Sequence, residues 1–197
     1  MGGQGEDRLA LPPPRLGETP LARALARRRS RREFGRRDLS IEEVAALCWA
    51  AQGRTASWGG RTAPSAGGLH PLTLSVADAR GVWRYHPGRH ALDLAAAEDR
   101  RARLAAAALG QACVRDAPAT FALTADPEVL RPRYRERSER YCALEAGHAA
   151  QNLLLAAEAL GLAAVPVAAF DDQAVLGALG LAPPALALYL VPAGEPA

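Results

Sequence analysis

The sequence predicts a mixed fold, α+β or α/β, in which short strands are interspersed with helices. Strand-length apolar segments recur at 72–77 (LTLSVA), 82–86 (VWRYH), 120–125 (TFALTA), 163–168 and 185–191, and helical patterns lie between them. The chain's 197 residues, 49% hydrophobic and 23% charged, suit one soluble domain or one compact protomer of a dimer. Aromatic residues are only 5%, so alanine and leucine carry the apolar mass; a core that thin gains from a buried subunit interface.

Taken in order, residues 1–18 are rich in Gly and Pro and read as an extended arm, with 19–197 as a single domain. Pro20 to Arg32 reads as a short helix carrying a run of arginines. Ser40-Ile41-Glu42-Glu43 is a capping box, followed by Val44, Leu47 and Cys48 at helical spacing and closed by Gly53. Residues 54–71 (RTASWGGRTAPSAGGLHP) form a loop of small residues. The strands at 72–77 and 82–86 are joined by a turn at 78–81. Glu98 to Leu109 is helical, and 120–125 is a strand. The charged, irregular stretch to Arg140 precedes a helix from Tyr141 to Leu160. That helix is apolar around most of its circumference and so is buried on several sides. A strand at 163–168, a helix at 171–179 and a strand at 185–191 complete the chain.

Several chemistries are excluded. No apolar run reaches the roughly 18 residues a membrane span needs, and the first residues lack the basic-then-apolar pattern of a secretion signal. Cys48, Cys113 and Cys142 are odd in number and widely spaced, which argues against a disulfide framework and a CxxC metal site. A cytoplasmic protein without metal is expected. Every basic side chain apart from histidine is arginine. Without lysine there is no Schiff base, no pyridoxal attachment and no Walker A motif. Arginine instead supplies planar donors suited to bidentate phosphate contacts.

Two segments carry candidate chemistry. Arg28-Arg29-Ser30-Arg31-Arg32 is by itself a solvated basic face, a phosphate site or a nucleic-acid contact. The net charge of +3 and the few aromatics weigh against nucleic acid. Ala63-Pro64-Ser65-Ala66-Gly67-Gly68 lets backbone approach a flat ligand closely, or is an ordinary surface loop. It is not a GxGxxG fingerprint.

The ordered set RRSRREF, APSAGGLHP, GHAAQNLLLAAEALGL and VPVAAFDD resembles the nitroreductase superfamily. Within it the chain most resembles the SagB-type branch, dehydrogenases that oxidise azoline rings in thiazole/oxazole-modified peptides. The resemblance covers about residues 11 to 194. It implies an α+β fold with a central, mostly antiparallel sheet flanked by helices. It also implies a long buried helix at a homodimer interface, where FMN is shared by both chains.

Carried over residue by residue, the resemblance puts the FMN phosphate on Arg28, Ser30 and Arg32, with Arg29 as a further participant. It sets Pro64, Ser65, Ala66 and Gly67 against the isoalloxazine ring. It aims the backbone of Val167, Ala168 and Ala169 at flavin N5, where an N–H would stabilise arriving charge. Gln151 and Asn152 are expected to make capping or interface hydrogen bonds. Two departures stand out. The basic residue that follows the family's final glycine is Glu195 here. The Lys-Tyr pair of azoline-oxidising members is Arg133-Tyr134, and arginine cannot act as a neutral base. Tyr134, with Tyr141 as alternative, remains a proton partner, and His70 is a substrate-side candidate. The implied activity is azoline oxidation by hydride transfer. The alternatives are a nicotinamide-driven nitro- or quinone-type reductase and a flavin-binding scaffold subunit. The implied partners are a peptide substrate or a cyclodehydratase, without nucleic acid or membrane.

Overall fold

The computed structural model describes residues 8–197, so the first part of the expected arm lies outside the described residues. The chain forms β1 (Arg8–Ala10), α1 (Leu21–Arg27), α2 (Ile41–Gln52), β2 (Leu72–Asp78), β3 (Gly81–His86), β4 (Ala91–Ala96), α3 (Arg101–Ala107), α4 (Ala112–Arg115), β5 (Ala119–Ala125), α5 (Arg131–Tyr134), α6 (Ser138–Ala159), β6 (Ala163–Ala164), α7 (Asp172–Ala178) and β7 (Leu186–Gly194). The seven strands make one sheet in the order β1-β4-β3-β2-β5-β7-β6, with every pairing antiparallel. This is the expected α+β architecture, and the α/β alternative falls away because no parallel pair is present among the described residues.

The sheet separates two cores. Phe121 and Leu123 of β5 pack on the side of α2 and α6, while Ala122, one residue out of phase, packs on the side of α3, α4 and α7. All seven residues of β5 are buried, its apolar run interrupted only by Thr120 and Thr124, at the centre of the molecule. Phe121, Leu123 and Leu153 are fully buried, each contributing about 1.5–3 kcal/mol of apolar transfer. Between α2 and α6 the buried residues are mostly small: Ala45, Ala50 and Ala51 on one helix, Ala146, Ala149 and Ala150 on the other. Small contact residues let helix axes approach closely, and α6 is pinned against both α2 and the sheet.

Helix ends follow local chemistry. Ser40 and Glu43 form the expected capping box, each side chain accepting from the other's backbone N–H (3.2 and 2.7 Å). Asp171 caps α7 through the Ala174 N–H at 2.8 Å.

Several boundaries differ from the sequence expectation. The helix expected from Pro20 to Arg32 ends at Arg27, so the arginine run lies beyond its C-terminus. The helix expected to start at Glu98 begins only at Arg101. The strand at 163–168 shrinks to Ala163–Ala164, because Pro166 has no N–H for a ladder. Val167 rejoins by a single bridge to Leu190. β1 and β4 were not expected. The alanine-rich 91–96 has little intrinsic strand preference, and pairing with β3 and β1 supplies what propensity lacks.

Candidate active site

The loop after α2 is clamped between α2 and α6. The Thr62 N–H donates to Gly53 O (2.9 Å), its hydroxyl to Trp49 O (3.1 Å), and Asn152 Nδ2 of α6 to Thr62 O (3.1 Å). Asn152 thus ties the loop within the chain, while Gln151 is exposed. Arg61 Nη1 donates to the buried Gln52 Oε1 at 2.6 Å. Held this way, Pro64 and Ser65 lead into a tight 3-10 turn, Ala66–Gly68.

Gly67, at φ +61°, faces α5. A methyl group there would sit 2.8 Å from the Tyr134 hydroxyl and 2.9 Å from Arg133 Nη1, so only glycine suits both the conformation and the space. The residues expected to replace the Lys-Tyr pair therefore lie directly against the ring loop. Arg133 stacks over the Tyr134 ring at 5.4 Å, and Tyr134 meets Tyr141 edge-to-face at 5.0 Å. His70, at φ +53°, donates its N–H to Ser65 Oγ at 2.8 Å. Burial and then the Arg61 charge hold its pKa below the ordinary histidine value, against a hydrogen bond with the Gly59 backbone. The imidazole is thus kept neutral beside the loop.

A residue that the motif reading passed over lies beneath. Glu145 of α6 is 2% exposed, and neither carboxyl oxygen has a hydrogen-bond partner. Burial pushes its pKa up, opposed by the Ser65 hydroxyl, the Arg61 charge and the Ala66 N–H nearby. With Pro64, Ser65, Ala66, Tyr141, Leu144 and His148 it lines a cavity of about 230 Å³. The signal was present in the sequence: a carboxylate set between apolar residues, Ala143-Leu144-Glu145-Ala146, four residues after Tyr141.

The arginine cluster divides its labour. Arg27 and Arg31 face Glu158 of α6 (3.3 and 3.6 Å). Arg29 donates to the carbonyls of Ala26 and Arg28, closing the end of α1, where the negative helix pole favours cations. Arg28 and Arg32 have no carboxylate partner among the described residues, and Ser30 is exposed. Ser30, Arg31, Arg32, Glu33, Pro196 and Ala197 line an open cavity of about 340 Å³. Glu195 turns aside toward Arg37, at 3.7 Å.

In the 166–170 segment the Val167 N–H is already used, donating to Leu190 O at 2.7 Å. Ala168 and Ala169 are exposed; Ala169 O accepts from Gln111 Nε2, and neither N–H has a backbone acceptor among the described residues. The Val167 N–H is thus committed to the sheet.

Glu158 holds the arginine end and Glu145 underlies the ring loop, thirteen residues apart on α6, about 20 Å at 1.5 Å per residue.

A model of the nitroreductase family matches residues 25–195. The chain belongs to the nitroreductase family. It is accordingly an oxidoreductase by fold and family. A nitroreductase-type protein of Methanocaldococcus jannaschii is 36% identical over 175 residues, 86% of this chain and 88% of that one. The crystal structure of a nitroreductase-type protein from Ralstonia eutropha superposes with a TM-score of 0.88 at 30% identity, covering 100% of this chain and 92% of the other. A third, from Desulfovibrio desulfuricans, was solved in complex with FMN; it is 30% identical, with a TM-score of 0.68, over 91% of this chain and 88% of its own. No helix among the described residues of this nitroreductase-family chain is long and apolar enough to cross a membrane.

Proposed function

We propose that this chain is an FMN-dependent oxidoreductase acting as a cytoplasmic homodimer, with each flavin shared between two copies. One observation carries the reading. Arg32, without a carboxylate partner among the described residues, lines an open cavity with Ser30, and Glu158, which holds the neighbouring Arg27 and Arg31, lies about 20 Å along α6 from Glu145 beside the ring loop. A ribityl chain of five carbons cannot reach so far, so a flavin phosphate on Arg28, Ser30 and Arg32 meets the Pro64–Gly67 loop of a second copy. The apolar groove between the two ends, lined by Leu16, Trp49, Leu155 and Ala159, is the face such a copy would cover.

The residues present fit the cofactor. Arg28, Arg32 and Ser30 supply charge-assisted donors to a phosphate, the small loop accommodates a planar ring, and the unused N–H groups of Ala168 and Ala169 suit a site of developing negative charge. FMN when bound supplies two-electron hydride chemistry. The chain's part is to hold the phosphate, orient the ring and manage protons at Tyr134 and its neighbours.

For the substrate, the motif resemblance and the seating of Arg133-Tyr134 against Gly67 support oxidation of azoline rings, with a modified peptide as substrate and a cyclodehydratase as partner. A nicotinamide-driven reductase of nitro or quinone acceptors is the second reading, favoured by the arginine that replaces the basic lysine and by the nitroreductase-type relatives. In a third reading, a flavin-binding scaffold subunit, the same arginine accounts for lost turnover. Purified protein should carry flavin absorption and release FMN on denaturation. Arg28→Ala and Arg32→Ala should each weaken FMN binding tenfold or more, about 1.5–3 kcal/mol per lost charged hydrogen bond. A colourless protein that refuses added FMN, or full retention in both variants, overturns the reading. Rapid bleaching by NADH or NADPH selects the reductase; no turnover except with a co-purifying cyclodehydratase selects the scaffold subunit.

A further inference from the structure

Glu145 is a costly residue to keep. A buried carboxylate loses its hydration; here neither oxygen has a partner in hydrogen-bonding geometry, the Ser65 hydroxyl and the Ala66 N–H lie only nearby, and the residue lines a cavity beside the ring loop. The neighbouring positive charge, Arg61, is itself bonded to Gln52 at 2.6 Å and approaches only as a field. The other titratable groups around it are Tyr141, Cys142 and His148 on its own helix, with Tyr134 behind Tyr141. The Cys142 thiol, pushed up to about 11 chiefly by burial, stays neutral. Burial favours the neutral carboxyl, and the Ser65 hydroxyl, the Arg61 charge and the Ala66 N–H favour the ionised one. A negative charge arriving nearby tips such a balance toward the neutral acid.

We propose that Glu145 is a proton store for the redox cycle, its carboxylate binding one proton from solvent when two electrons enter the flavin and releasing it when they leave. The inference rests on the flavin reading above. Its balance is simple: a reduced nicotinamide or a chemical reductant supplies the electron pair, the carboxylate becomes a carboxylic acid, and reoxidation by the acceptor reverses both. Linkage makes the effect reciprocal, so protonating Glu145 also favours the reduced state.

The test is a reduced-minus-oxidised infrared difference spectrum of the FMN-loaded protein, with dithionite as reductant. A protonated-carboxyl C=O band should appear on reduction. It should be lost in Glu145→Gln, shifted in Glu145→Asp and unchanged in Glu139→Gln, an exposed glutamate on the same helix. Absence of the band from wild-type protein overturns the proposal, as does its persistence in flavin-loaded E145Q. Should E145Q not fold, an unshifted band in E145D overturns it equally. Failure of the flavin reading looks different: the wild-type protein then takes up no FMN.

Discussion

At the residue scale, the arginine run and Glu145 show how neighbours assign roles that composition leaves equal. Five adjacent polar residues read alike in sequence, yet Glu158 engages Arg31 together with Arg27, the end of α1 takes Arg29, and of the four arginines Arg28 and Arg32 are left without a carboxylate partner among the described residues. Removing Arg31 should therefore matter less than removing Arg32. Arg31 is engaged by Glu158 at 3.6 Å, so Arg31→Ala should change FMN affinity only a few-fold in a fluorescence titration. Glu145 makes a pH prediction. Its folded-state pKa is raised, so the folded chain binds more protons than the unfolded one. Stability is then full below the ordinary carboxyl value of 4.5 and declines as pH rises through the raised value. E145Q should remove that decline. Its melting temperature should exceed wild type at alkaline pH, reflecting a desolvation cost on the order of 1–3 kcal/mol, and match it in acid. A wild-type advantage at alkaline pH would show that the carboxylate is partnered after all.

At the element scale, the ring loop is a product of the two helices that clamp it. Asn152 and Trp49 hold Thr62, and Gly67 must then pass under Arg133 and Tyr134. Gly67→Ala should cost about 1–2 kcal/mol from the left-handed conformation alone, displace the Tyr134 hydroxyl and lower FMN occupancy. Ser40→Ala is the contrast. It should cost about 0.5–2 kcal/mol through loss of a cap and leave FMN affinity unchanged, because the start of α2 lies far from the loop at its end. Calorimetry and flavin titration of both variants separate the two effects. The capping box, the central strand and the long helix were legible in the sequence because each is governed by local pattern. β1, β4 and the end of α1 were not. Short alanine-rich strands draw their stability from pairing, and an arginine run continues a helix as readily as it leaves one.

At the scale of the whole molecule, separation of the arginine end from the ring loop predicts complementation between chains. A variant lacking Arg28 and Arg32 keeps a sound loop, and Gly67→Ala keeps a sound phosphate end. Each alone should bind little FMN. Co-refolded, they should regain it, since one of the two sites in a mixed dimer then has both halves intact. Recovery no greater than the sum of the separate proteins would place the flavin within a single chain. Likewise Leu155→Glu, in the apolar groove, should yield monomers by light scattering and lose flavin with them.

The sequence by itself determined the mixed strand-and-helix composition, the caps, the burial of α6 and the ordered motifs of a nitroreductase-family chain. All of these follow from periodicity and from residue types at short range. Only the tertiary structure decided which arginines remain free, that Val167 has already used its N–H, and that an unpaired carboxyl lies beneath the ring loop. Most of those outcomes depend on distant partners, 23 positions away for Val167 with Leu190 and 131 for Arg27 with Glu158. A linear pattern carries no distance between such residues until the chain has folded.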